Sequence, residues 1–116
     1  MAFVFPPVPA QLREMLKDYP EHIERLQEVL NRSAERSRQI PLMPFDDAVS
    51  ALKGRLGTFI LEASGDLAAA EASGDPTAIA QAQEKERLMS FARSSNIGMA
   101  ELDDLWAYFE RSQMGV

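Results

Sequence analysis

Ala68-Ala69-Ala70-Glu71-Ala72-Ser73-Gly74-Asp75-Pro76-Thr77-Ala78 is the stretch that decides the fold. Gly74 suits the left-handed position that ends a helix, because it has no Cβ to clash there. Asp75 can cap the next helix, and Pro76 suits that helix's first residue, where no N–H donor is needed. A stop and a start this close together force two antiparallel helices. Alanines on both arms, Ala68 to Ala70 before the turn and Ala78, Ala80 and Ala82 after it, let the backbones approach at the tip.

Upstream, Phe45, Val49, Leu52, Leu56 and Phe59 step by four, three, four and three, a heptad seam on one helix face. Ala63, Leu67 and Ala70 continue it with the phase shifted by one residue. The spacing predicts a long helix over 46–73, with Asp46 as its N-cap. Ile40 to Pro44 reads as a turn, with Pro41 and Pro44 blocking helix on either side. Further upstream, Leu12, Leu16, Tyr19, Ile23, Leu26 and Leu30 form another seam. Pro20 disfavours helical backbone at Tyr19, which predicts a short helix at 10–18 and a restart over 20–38. Residues 1–9 hold Pro6, Pro7 and Pro9 and read as an extended, proline-rich lead to a single helical domain over 10–116.

Downstream, a helix is expected from 76 to about 94, with a polar, solvated middle from Gln81 to Arg87. Ser94, Ser95, Asn96 and Gly98 interrupt it. A last helix is expected over 99–112, because Leu102, Leu105, Trp106 and Phe109 share one face. No strand-like alternation appears. The expected fold is all-α, a small antiparallel helical bundle. Leu16, Ile23, Leu26, Leu30, Val49, Leu52, Leu56, Phe59 and Met89 form its predicted core.

The totals narrow the function. The chain has 116 residues, 12 basic and 18 acidic, for a net charge of −6. Residues 1–40 balance, with six of each sign, and the deficit falls in the rest. Phosphate backbones attract Lys and Arg, so nucleic acid is not an expected partner, and an anionic membrane surface is disfavoured too. No stretch reaches the roughly 20 apolar residues that span a bilayer. The absence of cysteine removes disulfides, thiolate nucleophiles and Cys-based zinc sites. The N-terminal residues lack the basic region of a signal peptide, and a cytoplasmic location is expected.

Few residues suggest chemistry. His22 is the only histidine, and Asp18 four residues earlier could share its helix face. A metal site needs three or four ligands, so His22 reads instead as a surface or half-buried histidine beside a kink. Asp46-Asp47 and Asp103-Asp104 are paired acids, but carboxylates at helix starts are favoured by the dipole without any catalytic task. Arg32, Arg36 and Arg38 form the one basic cluster, which suits a helix C-terminus and is diluted by Glu28 and Glu35. Neither a Gly-x-Ser-x-Gly elbow nor a phosphate-cradling glycine loop is present. The chain therefore reads as a non-enzyme with no cofactor and no metal.

Two apolar segments remain as candidate partner-binding sites. In the lead, Phe3 and Phe5 accompany a PxxP spacing that could dock on an aromatic groove, or could pack over its own bundle. In the last helix, Leu102, Leu105, Trp106 and Phe109 could lie in a partner's groove, or could complete the core with Trp106 partly buried and Tyr108, Asp103, Asp104 and Glu110 facing out. The expected function is a non-catalytic protein–protein interaction module, of adaptor, chaperone-like or inhibitor type. The alternative is a self-assembling homo-oligomeric structural subunit. The expected partner is another protein or a second copy of the chain.

Overall fold

Pro9 and Pro20 set the first two helices. The computed structural model describes residues 5–39 and 44–114, with side chains 38–39 and 111–114 excepted. Helix α1 (Ala10–Met15) follows Pro9 and closes early, where the Leu16 N–H reaches the Leu12 carbonyl at 2.9 Å. The expected helix to residue 18 is thus shortened. Pro20 is the physical reason: Tyr19 cannot stay helical before it, so residues 16–18 turn instead. Helix α2 (Pro20–Gln39) then restarts on the Tyr19 carbonyl, which accepts from the His22 N–H at 2.9 Å and the Ile23 N–H at 3.3 Å.

Helix α3 (Pro44–Ser73) starts two residues before the expected point. Pro44 does not block the helix; it is the first helical residue, where a missing N–H costs nothing. Asp46 is therefore in the first turn and not the N-cap. The rest of the expected turn, 40–43, lies outside the described residues. The hairpin forms as the local residues dictate. Gly74 sits at φ 71°, and its N–H meets the Ala70 and Glu71 carbonyls at 3.2 Å. Asp75 accepts from the Thr77 N–H at 3.0 Å, and helix α4 (Pro76–Arg93) begins on Pro76.

The end of α4 differs from expectation. Gly98 does not simply break one helix before another. Its N–H folds back to the Phe91 carbonyl at 3.0 Å, while Met99 donates to the Ser94 carbonyl at 2.9 Å. A Cβ on Gly98 would lie 2.1 Å from the Ala92 carbonyl oxygen, so glycine is required by close approach. This turn consumes residues 94–102, with Met99 buried in it, and helix α5 begins only at Asp103 (Asp103–Met114).

Five helices and no strand make up the described residues, an all-α bundle. Helix α3 is its axis. Helices α2 and α4 pack along it, α5 packs against its first turns, and α1 leans on α4. Leu12, Leu16, Leu26, Leu30, Leu52, Leu56, Phe59, Met89 and Leu105 are fully buried. Of the expected core, Ile23 and Val49 are only half-buried, packed against the rim of this cluster. Buried residues end at Ala63 on α3 and resume at Met89 on α4. Thirty residues of α3 span about 45 Å, against about 30 Å for the 20 of α2, so the hairpin overhangs. The described chain measures 57 × 23 × 23 Å. None of its helices is long and apolar enough to cross a membrane.

Candidate functional site

Helix α5 is divided along its length. Leu105 and Phe109, one turn apart, are in the core, and Leu102 is half-buried beside them. Trp106 follows Leu105 by one residue, about 100° around the helix, and turns outward. It is 53% exposed, more open than the sequence suggests. The reason is helical geometry: a face holding both i+3 and i+4 positions is wider than the seam α3 offers. Phe45, in the first turn of α3, supports the indole edge-to-face, with ring centroids 5.0 Å apart at 87°. Tyr108, expected to face out, is half-buried and packs at 90° against Phe109. Asp103, Asp104 and Glu110 are exposed as expected.

The proline-rich lead is packed on its own bundle. Pro6, Val8 and Pro9 are buried and Phe5 is half-buried. Gln27 on α2 donates to the Pro6 carbonyl at 2.8 Å and to Asn31 Oδ1 at 2.9 Å. Both prolines of the PxxP spacing are thereby covered. Phe3 lies outside the described residues.

The polar candidates are engaged structurally. Arg32 pairs with Glu28, and Arg36 reaches Asp47 at 2.8 Å; the side chain of Arg38 lies outside the description. Asp47 also accepts from the Ser33 hydroxyl at 2.7 Å. Burial raises the Asp47 carboxyl, but the Ser33 and Arg36 hydrogen bonds and the Arg36 charge together hold it below its ordinary range. Asp46 and Asp47 therefore diverge, one exposed and one holding α2 to α3. Among the described residues no three histidine or acidic side chains gather where they could hold a metal.

Asp18 lies in the exposed turn before Pro20, off the helix that carries His22. The His22 ring instead sits 4.3 Å from Phe59 and 5.5 Å from Tyr19. Burial lowers its pKa, and the charges of Lys85 and Arg25 lower it further against Glu62 and Glu21. Arg25 lies 4.7 Å over the Phe59 ring and makes two 2.8 Å hydrogen bonds to Glu62. Lys85 spans Asp66, at 3.6 Å, and the Tyr19 ring, at 5.3 Å. The solvated middle expected for α4 is thus interrupted at Lys85. An open groove of about 590 Å³ continues from Tyr19 between Ala70, Ala78 and Ala82.

The aromatic cluster at Tyr19, His22 and Phe59 was not visible in the sequence. The heptad steps put Tyr19 and Phe59 in seams, but their meeting depends on how far α2 slides along α3. Other exposed apolar residues have plainer accounts. Leu61, 76% exposed, stands by itself on α3, which is ordinary for a surface. Phe91 is shared with the Arg87 guanidinium 5.9 Å away. Trp106 with Phe45 is the larger aromatic surface. The chain matches no protein-family model, no curated protein and no solved structure.

Proposed function

We propose that this protein is a non-catalytic interaction module that recognises another protein through the Trp106–Phe45 face, in the manner of an adaptor, a chaperone-like subunit or an inhibitor. The observation that carries the reading is the division of α5. Leu105 and Phe109 anchor the helix in the core, which fixes the backbone at the neighbouring Trp106 and leaves its ring in solvent against Phe45. An exposed tryptophan on an anchored helix is a frequent centre of binding energy. The bundle does not need the indole for its own packing in the way it needs Leu105. The lack of cysteine and the acidic charge favour a cytoplasmic setting without nucleic acid or membrane contact.

The test is a photo-crosslinking side chain placed at Ala107, exposed next to an intact Trp106, with Gln83, exposed on α4, as the control position. In cells, a discrete heterologous adduct from 107 and none from 83 supports the module. Adducts of equal intensity from both positions, or none from 107, reject it. An adduct of twice the chain's own mass from 107 favours the self-assembling subunit instead.

A further inference from the structure

The surroundings of Trp106 carry a consistent charge. Asp103 lies three residues before it and Glu110 four after, the spacings that share a helix face. Both are exposed, as is Asp46 beside Phe45. Elsewhere six acids are met by cations, Glu14 by Lys17, Glu28 by Arg32, Asp47 by Arg36, Glu62 by Arg25, Asp66 by Lys85 and Glu84 by Arg87, while others, Glu24 and Glu71 among them, are exposed with no ion pair among the described residues. Asp46, Asp103 and Glu110 have no such partner among the described residues. The helix dipole accounts for Asp46 and Asp103, each in the first turn of its helix, where the end is positive. It does not account for Glu110, in the second half of the helix, where the dipole disfavours an acid.

From this aromatic face with an unneutralised acidic rim, we infer that the docked partner segment is basic and apolar-anchored, an inference that rests on the interaction function proposed above. Lys or Arg of the segment meets Asp46, Asp103 and Glu110, and an apolar side chain covers Trp106 and Phe45. A guanidinium has a further favourable position over the indole, whose π face attracts cations. The same charges disfavour a second copy as occupant. A two-fold dimer sets the same patch against itself, and here that opposes acid to acid.

The experiment uses the full chain and a panel of labelled, amphipathic helical peptides with identical apolar positions. The polar positions are Lys and Arg in one set and Glu in the other, and binding is read by fluorescence anisotropy at low and physiological salt. The basic set should bind and the acidic set should not, with affinity falling as salt rises. Trp106→Ala, which removes an exposed ring, should weaken binding roughly tenfold or more. The pair Asp103→Asn with Glu110→Gln should weaken it and reduce the salt dependence. Glu24→Gln with Glu71→Gln, the same charge change at exposed sites on other parts of the surface, should not. Far-ultraviolet circular dichroism confirms that each variant remains folded. The inference is overturned if the acidic peptides bind as well as the basic ones, if the basic set fails to bind, or if the control pair weakens binding as much as the rim pair. It is also overturned by a dimer in light scattering that Trp106→Ala dissolves. A crosslink from position 107 into a segment without Lys or Arg rejects this inference while leaving the interaction module standing; no crosslink at all rejects both.

Discussion

The two halves of α3 lie on one continuous helix and have opposite characters. From Phe45 to Ala63 it is the axis of a dry core, with Leu52, Leu56 and Phe59 fully buried between α2, α4 and α5. From Ser64 to Ser73 it is one arm of an overhanging hairpin, held to α4 by Lys85–Asp66 and by a 2.7 Å hydrogen bond from the Ser64 hydroxyl to Glu86. The difference is one of side-chain volume. Leucine and phenylalanine in the first half fill the space among several helices. Alanine in the second half fills the space between two, and leaves the outside to water. Stability is therefore expected to be unequal along a single unbroken hydrogen-bonded helix.

The sharpest way to break this contrast is to remove volume from the lower half. Leu56→Ala should cost roughly 2–5 kcal/mol in urea unfolding, because the cavity has helices on several sides and cannot collapse. A loss close to zero would show that the lower half is no more tightly packed than the arm. Next in size is Gly98→Ala. The new Cβ would sit 2.1 Å from the Ala92 carbonyl oxygen, which is backbone and cannot swing away. A loss of roughly 1–3 kcal/mol is expected from the forced shift. It should be accompanied by greater quenching of Trp106 by acrylamide, as the turn into α5 loosens.

At the arm, Asp75→Ala should remove the cap on Thr77 and cost roughly 0.5–2 kcal/mol. Hydrogen exchange locates the effect: amides of residues 64–85 should exchange faster, and those around Leu56 should change little. Uniform acceleration would mean that the arm and the base unfold as one unit.

The smallest effect concerns pH. His22 is favoured in its neutral form in the folded chain, with its pKa lowered from the ordinary 6.5. Its contribution is therefore complete above about pH 6.5 and is lost as pH falls from there through the lowered value. The Glu62 carboxyl, held down mainly by the Arg25 hydrogen bond from an ordinary 4.5, loses its contribution only at lower pH. His22→Gln should flatten the first of these two slopes and leave the second. The ring is half-exposed, so solvent keeps the slope shallow. An unchanged profile between pH 5 and 7 would show that His22 does not report on the junction of base and arm.

What could be read in advance follows the range of the interactions involved. The hairpin was legible because Gly74, Asp75 and Pro76 act on their own neighbours, and local chemistry needs no knowledge of the fold. The seams of Leu26, Leu30, Leu52 and Leu56 were legible for the same reason: periodicity is a local property. Asp46 looks like a cap in the sequence because Pro44 satisfies two opposite rules, ending a helix or beginning one. The sequence points to an earlier start for α5 because Gly98 looks like a simple interruption unless its approach to Ala92 is known. Helix α5 was legible as a candidate, but the division within it was not. Trp106 and Leu105 fit an apolar face equally well on paper, and their roles separate only once α5 docks, which buries Leu105 and leaves Trp106 exposed against Phe45, some sixty residues away in the chain. The charge cluster of Arg25, Glu62 and Lys85 likewise joins three helices.

The turn at Gly74 also makes the molecule a convenient scaffold. Residues 71 to 77 are exposed, the Gly74, Asp75 and Thr77 N–H groups find their acceptors within the turn, and none of these residues belongs to the core. Chain termini of an inserted domain could enter there side by side, since antiparallel helices leave and return at one place. A reporter spliced between Gly74 and Asp75 would stand at the far end of the arm from Trp106. It would leave the aromatic face free, and would give a handle on the protein without touching the proline-rich segment sewn to α2.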